Sequence, residues 1–119
     1  VVLPELCNTG YVFETREEAM ALAEPIPDGP SCRRWREAAA KHRMVIVAGI
    51  TERDGDVLYN SAVVVGPQGV LGTYRKNHLW GAENLFFERG NLGMPVFRIG
   101  AGRIACAICY DIWFPETFR

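Results

Sequence analysis

The chain has 119 residues, a formal net charge of −1 and 49% hydrophobic residues. That apolar share suits one packed core rather than disorder, and the near-zero charge gives no electrostatic footprint for nucleic acid or an anionic membrane surface. The longest apolar runs, MVIVAGI (44–50) and SAVVVG (61–66), are too short to span a bilayer, and no basic-plus-apolar leader is seen at the start.

The elements follow in chain order. VVLP (1–4) predicts a buried strand with Glu5 at its carboxyl end. TREEAMALAE (15–24) carries a capping box, Thr15 at the N-cap and Glu18 three residues on, with Met20, Leu22 and Ala23 as a thin apolar stripe. PIPDGP (25–30) breaks that helix. Ser31 is placed to cap a second helix over 32–43, whose face is Trp35, Ala38, Ala39 and His42.

MVIVAGI is apolar on both faces and predicts a central strand. Asp54-Gly55 is a tight-turn signal, VLYNSAVVVG (57–66) the returning strand, and VLGTY (70–74) a third. Residues 75–95 show no clean period and predict a long aromatic, charged loop with one helical turn; loops of that length in compact domains are usually functional. VFRIG (96–100) and RIACAIC (103–109) predict a final antiparallel pair. Helices on a largely apolar sheet give an α/β class with no repeats, and residues 1–119 read as one domain or part of one. Both ends cut into apparent elements, so the chain is expected to be part of a longer protein.

Four cysteines, at 7, 32, 106 and 109, are expected as reduced thiols, which suits the cytoplasm. Strand period puts Arg103, Ala105, Ala107 and Cys109 on one face and Ile104, Cys106 and Ile108 on the other. The two thiols of C-x-x-C then point to opposite sides, unlike a redox pair opening a helix. No second cluster offers zinc-ligand spacing. Cys106 reads as a small buried hydrophobe. Cys109 ends the strand just before YDIWFPE, at the sheet edge where α/β proteins place ligands, and a bend there aims backbone N–H groups at whatever the sulfur attacks. An inert strand-end thiol stays open as the plainer reading. Glu5 and Lys76 occupy similar stations at strand ends, and each taken alone is more plainly read as an exposed loop charge.

Together these segments resemble the nitrilase superfamily, the carbon–nitrogen hydrolases. VVLPEL with Glu5, YRKNHLW with Lys76 and ICYDIWFPE with Cys109 look like its three signature segments, in its order and near its spacing. ENLFFERG resembles the stretch that supplies the family's second glutamate, here Glu83, and NTGYVF, IVAGITERDGDVLYNSAVVVGPQG and MPVF read like the amidase branch. The resemblance covers the whole chain. It implies an α-β-β-α sandwich, incomplete here because members are about twice this length, and assembly as a homo-oligomer.

On these residues the resemblance implies a thiol hydrolase of linear amides or N-carbamoyl compounds. Cys109 is the nucleophile, Glu5 the general base, Lys76 and the Tyr110 N–H the oxyanion donors, and Glu83 the group that orients Lys76 or the substrate nitrogen. No metal or organic cofactor is required; the partner is a small-molecule substrate, not nucleic acid or membrane. Tyr110 and Trp113 flank the nucleophile and are expected to wall the pocket. Trp80, Phe86 and Phe87 either join them or pack, packing suiting at least two. His78 is expected to be structural or to line the pocket, and Asn60 is a further candidate to reach the site. Nitrile hydrolysis is the nearest alternative, though family nitrilases tend to follow the cysteine with Trp-Glu where this chain has Tyr110-Asp111. A non-catalytic assembly subunit and a thiol-redox domain using Cys106 and Cys109 are the remaining alternatives.

Overall fold

The computed structural model describes residues 1–119. Two helices, α1 (Arg16–Leu22) and α2 (Pro30–His42), precede three strands, β1 (Ile46–Asp54), β2 (Val57–Gly66) and β3 (Gly69–Arg75). A 3₁₀ turn at Gly81–Leu85, the strands β4 (Val96–Ile99) and β5 (Gly102–Ala105), and two further 3₁₀ turns, Cys109–Trp113 and Pro115–Phe118, complete the chain.

β1, β2 and β3 form an antiparallel meander, and β4 and β5 a separate hairpin. The β1–β2 register runs from Ile46 opposite Val65 to Asp54 opposite Val57, closed by Gly55 at φ 61°. That left-handed conformation is what a tight hairpin turn requires and glycine supplies without strain. β2, rather than β1, is the central strand of this sheet, and it is buried along nearly its whole length.

Alternation along β2 builds two layers. Val63 and Val65 pack with Ile46, Ala48 and Ile50 against Cys32 and Ala39 of α2. Ala62 and Val64 face the other way, onto Phe97 of β4 and onto Cys106 and Ile108 beyond β5. A strand with apolar side chains on both faces needs a cover on both, here a helix and a second sheet. Helix, sheet, sheet are three successive layers of the expected α-β-β-α sandwich. Buried side chains of this size each contribute about 1.5–3 kcal/mol relative to exposure.

Several elements differ from the sequence reading. VVLP is extended beside β1 but makes only an isolated parallel bridge, and Val2 is 80% exposed. Leu3 N donates to Val47 O (2.8 Å) and Gly49 N to Pro4 O (3.2 Å), after which the chain turns through Leu6 at φ 48°. Apolar content marked the segment as a strand, but the turn at residues 5–6 ends the ladder. α2 starts at Pro30 with Gly29 at its N-cap. Ser31 does not cap it; its backbone N–H and hydroxyl both donate to the Glu24 carboxylate (2.7 Å each), so the orphan donor is satisfied from seven residues upstream. His42 is exposed and Cys32 takes the buried place on the α2 face; in α1, Leu22 is exposed and Ala19 buried.

The 75–95 loop is pinned to the sheet: Gly90 N donates to Lys76 O, Glu88 N to Leu58 O (2.9 Å each), and the Arg75 guanidinium to Asn91 Oδ1 (2.8 Å). Phe86 and Phe87 pack on Phe13. Beyond β5 the hydrogen-bonded strand stops at Ala105, yet the alternation continues to Cys109, with Cys106 and Ile108 buried and Ala105, Ala107 and Cys109 exposed.

Asp111, fully buried, ties this last segment to the sheet. Its carboxylate accepts from the Tyr74 hydroxyl (2.6 Å), the backbone N–H of Ile108 (2.9 Å) and of His78 (3.0 Å), and contacts His78 Nδ1 at 2.8 Å. The His78 ring stacks on Phe114, centroids 3.9 Å apart, so His78 is structural.

Two outcomes follow for the full-length protein. A Cβ on Gly49 would lie 2.3 Å from Pro4 O and 2.6 Å from Glu5 Cα. Gly49→Ala should therefore cost about 1–3 kcal/mol in urea unfolding by pushing the Glu5 turn off β1. Asp111→Ala, which strips the acceptor from several buried donors, should cost about 3 kcal/mol, and Asp111→Asn less; a loss under about 1 kcal/mol for the alanine variant would contradict the anchoring role.

Candidate active site

Four side chains distant in sequence meet beside one end of β2. Glu5 lies in the turn that follows Pro4. Lys76 is the first residue past β3; its N–H donates to Asn60 O (2.8 Å), so the backbone ladder fixes where its side chain starts. Asn60 is on β2. Glu83 sits in the 3₁₀ turn at Gly81–Leu85, and its Oε2 accepts from the Trp80 N–H (2.6 Å), an anionic group held at the donor end of the turn.

The Lys76 side chain has no exposed surface, and its ammonium donates to Glu5 Oε1 (2.7 Å) and to Glu83 Oε2 and Oε1 (2.8 and 3.0 Å). The Asn60 amide donates to two of these three oxygens, Glu5 Oε1 (2.7 Å) and Glu83 Oε1 (2.6 Å). Lys76, Glu5, Asn60 and Glu83 thus form a closed ring in which two donors alternate with two carboxylates. Both Glu83 oxygens are committed. Glu5 uses only Oε1, leaving Oε2 free, and its side chain keeps 21% exposure.

One ammonium against two carboxylates leaves the cluster with one net negative charge when both acids are ionised. Burial is the largest influence on Lys76 and by itself would lower its pKa, but hydrogen bonds and charges from Glu5 and Glu83 together outweigh it and hold the pKa above the ordinary lysine value. Lys76 is therefore a fixed cation, suited to stabilising developing negative charge and unsuited to taking a proton.

Cys109 opens the 3₁₀ turn at Cys109–Trp113 with φ 47°. A left-handed backbone on a non-glycine residue is strained and persists only where its surroundings enforce it. Ile108 before it and Asp111 after it are bound together by the Ile108 N–H to Asp111 carboxylate bond, which supplies that enforcement. The thiol is free and exposed. It shares with Glu5 the wall of a cavity of about 360 Å³, otherwise lined mainly by apolar residues including Val47, Gly49, Ala62 and Ile108. On its other side Cys109, Trp80, Tyr110 and Trp113 line an aromatic recess of about 380 Å³. Trp80 and Tyr110 meet edge to face at 4.8 Å, and Trp113 is 76% exposed.

The sequence-predicted residues thus divide. Glu5, Lys76 and Glu83 are in direct contact; Cys109 joins Glu5 across a shared cavity; Tyr110 and Trp113 flank the thiol. Burial raises the thiol pKa of Cys7 and Cys106, and that of Cys32 to about 11. Cys106 lies in the core between the sheets while Cys109 is exposed, so the C-x-x-C spacing does not bring the two sulfurs to one surface.

Two participants escaped the sequence reading. Asp111 was visible only as part of a dipeptide after the cysteine, and nothing local marks it as the anchor of the nucleophile turn. Tyr11, in NTGYVF, lines a recess together with Glu83, Trp80 and Phe86, and its phenol pKa is raised, first by partial burial and then by the charges of Glu83 and Glu5.

The chain is 53% identical over 119 residues to a nitrilase from Pyrococcus abyssi, covering all of this chain and 45% of that protein. It is 41% identical over 122 residues to a β-ureidopropionase from Arabidopsis thaliana, covering 95% of this chain and 30% of that one. Among solved structures, a carbon–nitrogen hydrolase superfamily protein from Xanthomonas campestris with an arsenic adduct in its active site superimposes with a TM-score of 0.86 at 30% identity, over 99% of this chain and 43% of that one. The chain spans less than half the length of these relatives. The sequence profile of the carbon–nitrogen hydrolase family matches residues 1–119 throughout, and the chain belongs to that family.

Proposed function

We propose that the protein hydrolyses non-peptide carbon–nitrogen bonds through a thioester on Cys109, with linear amides or N-carbamoyl compounds as substrates. The observation that carries this reading is the buried Lys76 ammonium clamped between Glu5 and Glu83, with Glu5 lining the same cavity as the exposed Cys109, whose backbone is strained.

In this reading Glu5 Oε2 takes the thiol proton, and the sulfur forms a bond to the substrate carbonyl carbon as the C=O electron pair moves to oxygen. The fixed charge of Lys76, with the Tyr110 N–H, offsets the negative charge on that oxygen; a donor in this role is typically worth about 3–4 kcal/mol. The carbonyl reforms as the C–N bond breaks, and the proton held by Glu5 passes to the departing nitrogen. A water then gives a proton to Glu5 and attacks the thioester carbon; the C–S bond breaks, the acid is released, and Glu5 returns the proton to sulfur to restore the thiol. Glu83, with both oxygens committed, holds Lys76 rather than carrying protons. Tyr110 and Trp113 wall the acyl group. None of these steps calls on a metal or organic cofactor.

Nitrile hydrolysis on the same residues is the second reading, favoured by the nitrilase name of the 53%-identical relative. Four free thiols suit a reducing compartment such as the cytoplasm, and no helix is long and apolar enough to cross a membrane. Assembly as a homo-oligomer and residues 1–119 as part of one hydrolase domain belong to the same reading.

An ammonia-release screen of the full-length protein against short amides, N-carbamoyl amines and nitriles tests substrate class: amides or carbamoyl compounds should turn over faster than nitriles. Cys109→Ala should lower kcat at least about a thousand-fold with the fold intact, while Cys106→Ala keeps activity; parental turnover by Cys109→Ala would end the proposal. Lys76→Ala should lower kcat by about 10²–10³-fold, and a loss confined to KM would contradict its assignment to the transition state.

A further inference from the structure

We propose that Asn60 is a positioning residue of this site, separating the carboxylate that moves protons from the one that does not; the proposal rests on the hydrolase reading above. Asn60 is 1% exposed and sits on β2, opposite Thr51 of β1 and bonded through its carbonyl to the Lys76 N–H. It is thus carried by the most enclosed strand of the sheet, a better place to hold a fixed geometry than a loop.

Its amide makes an uneven set of bonds. Nδ2 donates to Glu5 Oε1 at 2.7 Å and to Glu83 Oε1 at 2.6 Å, whereas the buried Oδ1 has no hydrogen-bond partner. Rotating the amide would set Oδ1 against two carboxylate oxygens, so the orientation is dictated by Glu5 and Glu83. A side chain serving packing alone would gain by satisfying its buried carbonyl oxygen. Asn60 instead leaves that oxygen unpaired and spends its donors on the two acids.

The consequence lies in which oxygens remain. Lys76 and Asn60 both hold Glu5 by Oε1, and nothing holds Oε2. Glu83 is held at Oε1 by both donors and at Oε2 by Lys76 and the Trp80 N–H. Take Asn60 away and Lys76 alone spans both acids. Glu5 is then free to rotate about its remaining bond, and Oε2 is no longer directed by two points of attachment. The groups facing Glu5 are Lys76 from the end of β3, Asn60 from β2, Glu83 from the 3₁₀ turn, Tyr11 from the N-terminal loop and Cys109 across the cavity. Removing a donor from a carboxylate disfavours its charged form, so the acid limb of the rate profile should move to higher pH.

The test uses the full-length protein with Asn60→Leu, similar in size but without donors, and Asn60→Ser, smaller and retaining one hydroxyl donor, beside Cys109→Ala. Thermal melts establish folding, and ammonia release from the best amide gives kcat, KM and the pH profile. Asn60→Leu should lower kcat about 10–100-fold with KM within about threefold of parent, and move the acid limb up by about half a pH unit or more. Asn60→Ser should fall between Leu and parent on both measures. If Asn60→Leu does not fold, the Ser variant decides on the same readouts. Parental kcat and acid limb in the folded variants, or a rise in KM alone, would overturn the positioning role. Parental turnover by Cys109→Ala would instead overturn the hydrolase reading, and Asn60's role with it.

Discussion

The structure turns on one buried ammonium. Lys76 has no exposed side-chain surface, and an isolated charge so placed would lose several kcal/mol of solvation. Two carboxylates within 3.0 Å make that burial tolerable, and they come from segments 71 and 7 residues away in sequence. The ion cluster therefore ties together the N-terminal turn, the end of β3 and the 3₁₀ turn of the long loop. Its geometry is asymmetric: one acid is saturated with donors, and the other keeps an oxygen free and lines the cavity that Cys109 shares.

Each arm of that arrangement depends on a backbone feature elsewhere. Glu5 reaches the cluster because the chain turns at Leu6 and lies directly on Gly49, where no side chain intervenes. Lys76 starts from a backbone ladder that continues one residue beyond β3 through Asn60. Cys109 is held in a left-handed conformation by a turn that Asp111 closes, and Asp111 is in turn bonded to Tyr74 on β3 and stacked indirectly, through His78, on Phe114. A second buried pair, Arg75 with Glu52 and the Tyr59 ring, braces the neighbouring residue of β3. The position immediately before Lys76 is thus rigid for its own reasons.

Much of this was legible in the residues. The period-two alternation over 103–109 separates a buried Cys106 from an exposed Cys109, and it does so even though the hydrogen-bonded strand ends at Ala105, because extended backbone keeps the alternation without a partner strand. Strand, turn and strand over 46–66 followed from apolar runs around Asp54-Gly55. What could not be read were contacts that exist only in three dimensions. Glu24 capping α2 across a turn, Asn60 bridging two acids and Asp111 gathering donors from three segments have no local signature; an Asn in a strand or an Asp after a cysteine has many other uses. VVLP misled for a related reason: its apolar content is real, but the turn at residues 5–6 limits its pairing to a single bridge.

The central claim is that an exposed thiol and a three-charge cluster form one covalent-catalytic site. Its most direct test is to quench the full-length protein during turnover of a short amide and map the modified peptide by mass spectrometry. The account predicts an acyl adduct on Cys109 that disappears as substrate is exhausted. Turnover without any adduct on Cys109, or with the acyl group carried by Cys7, Cys32 or Cys106, would contradict it.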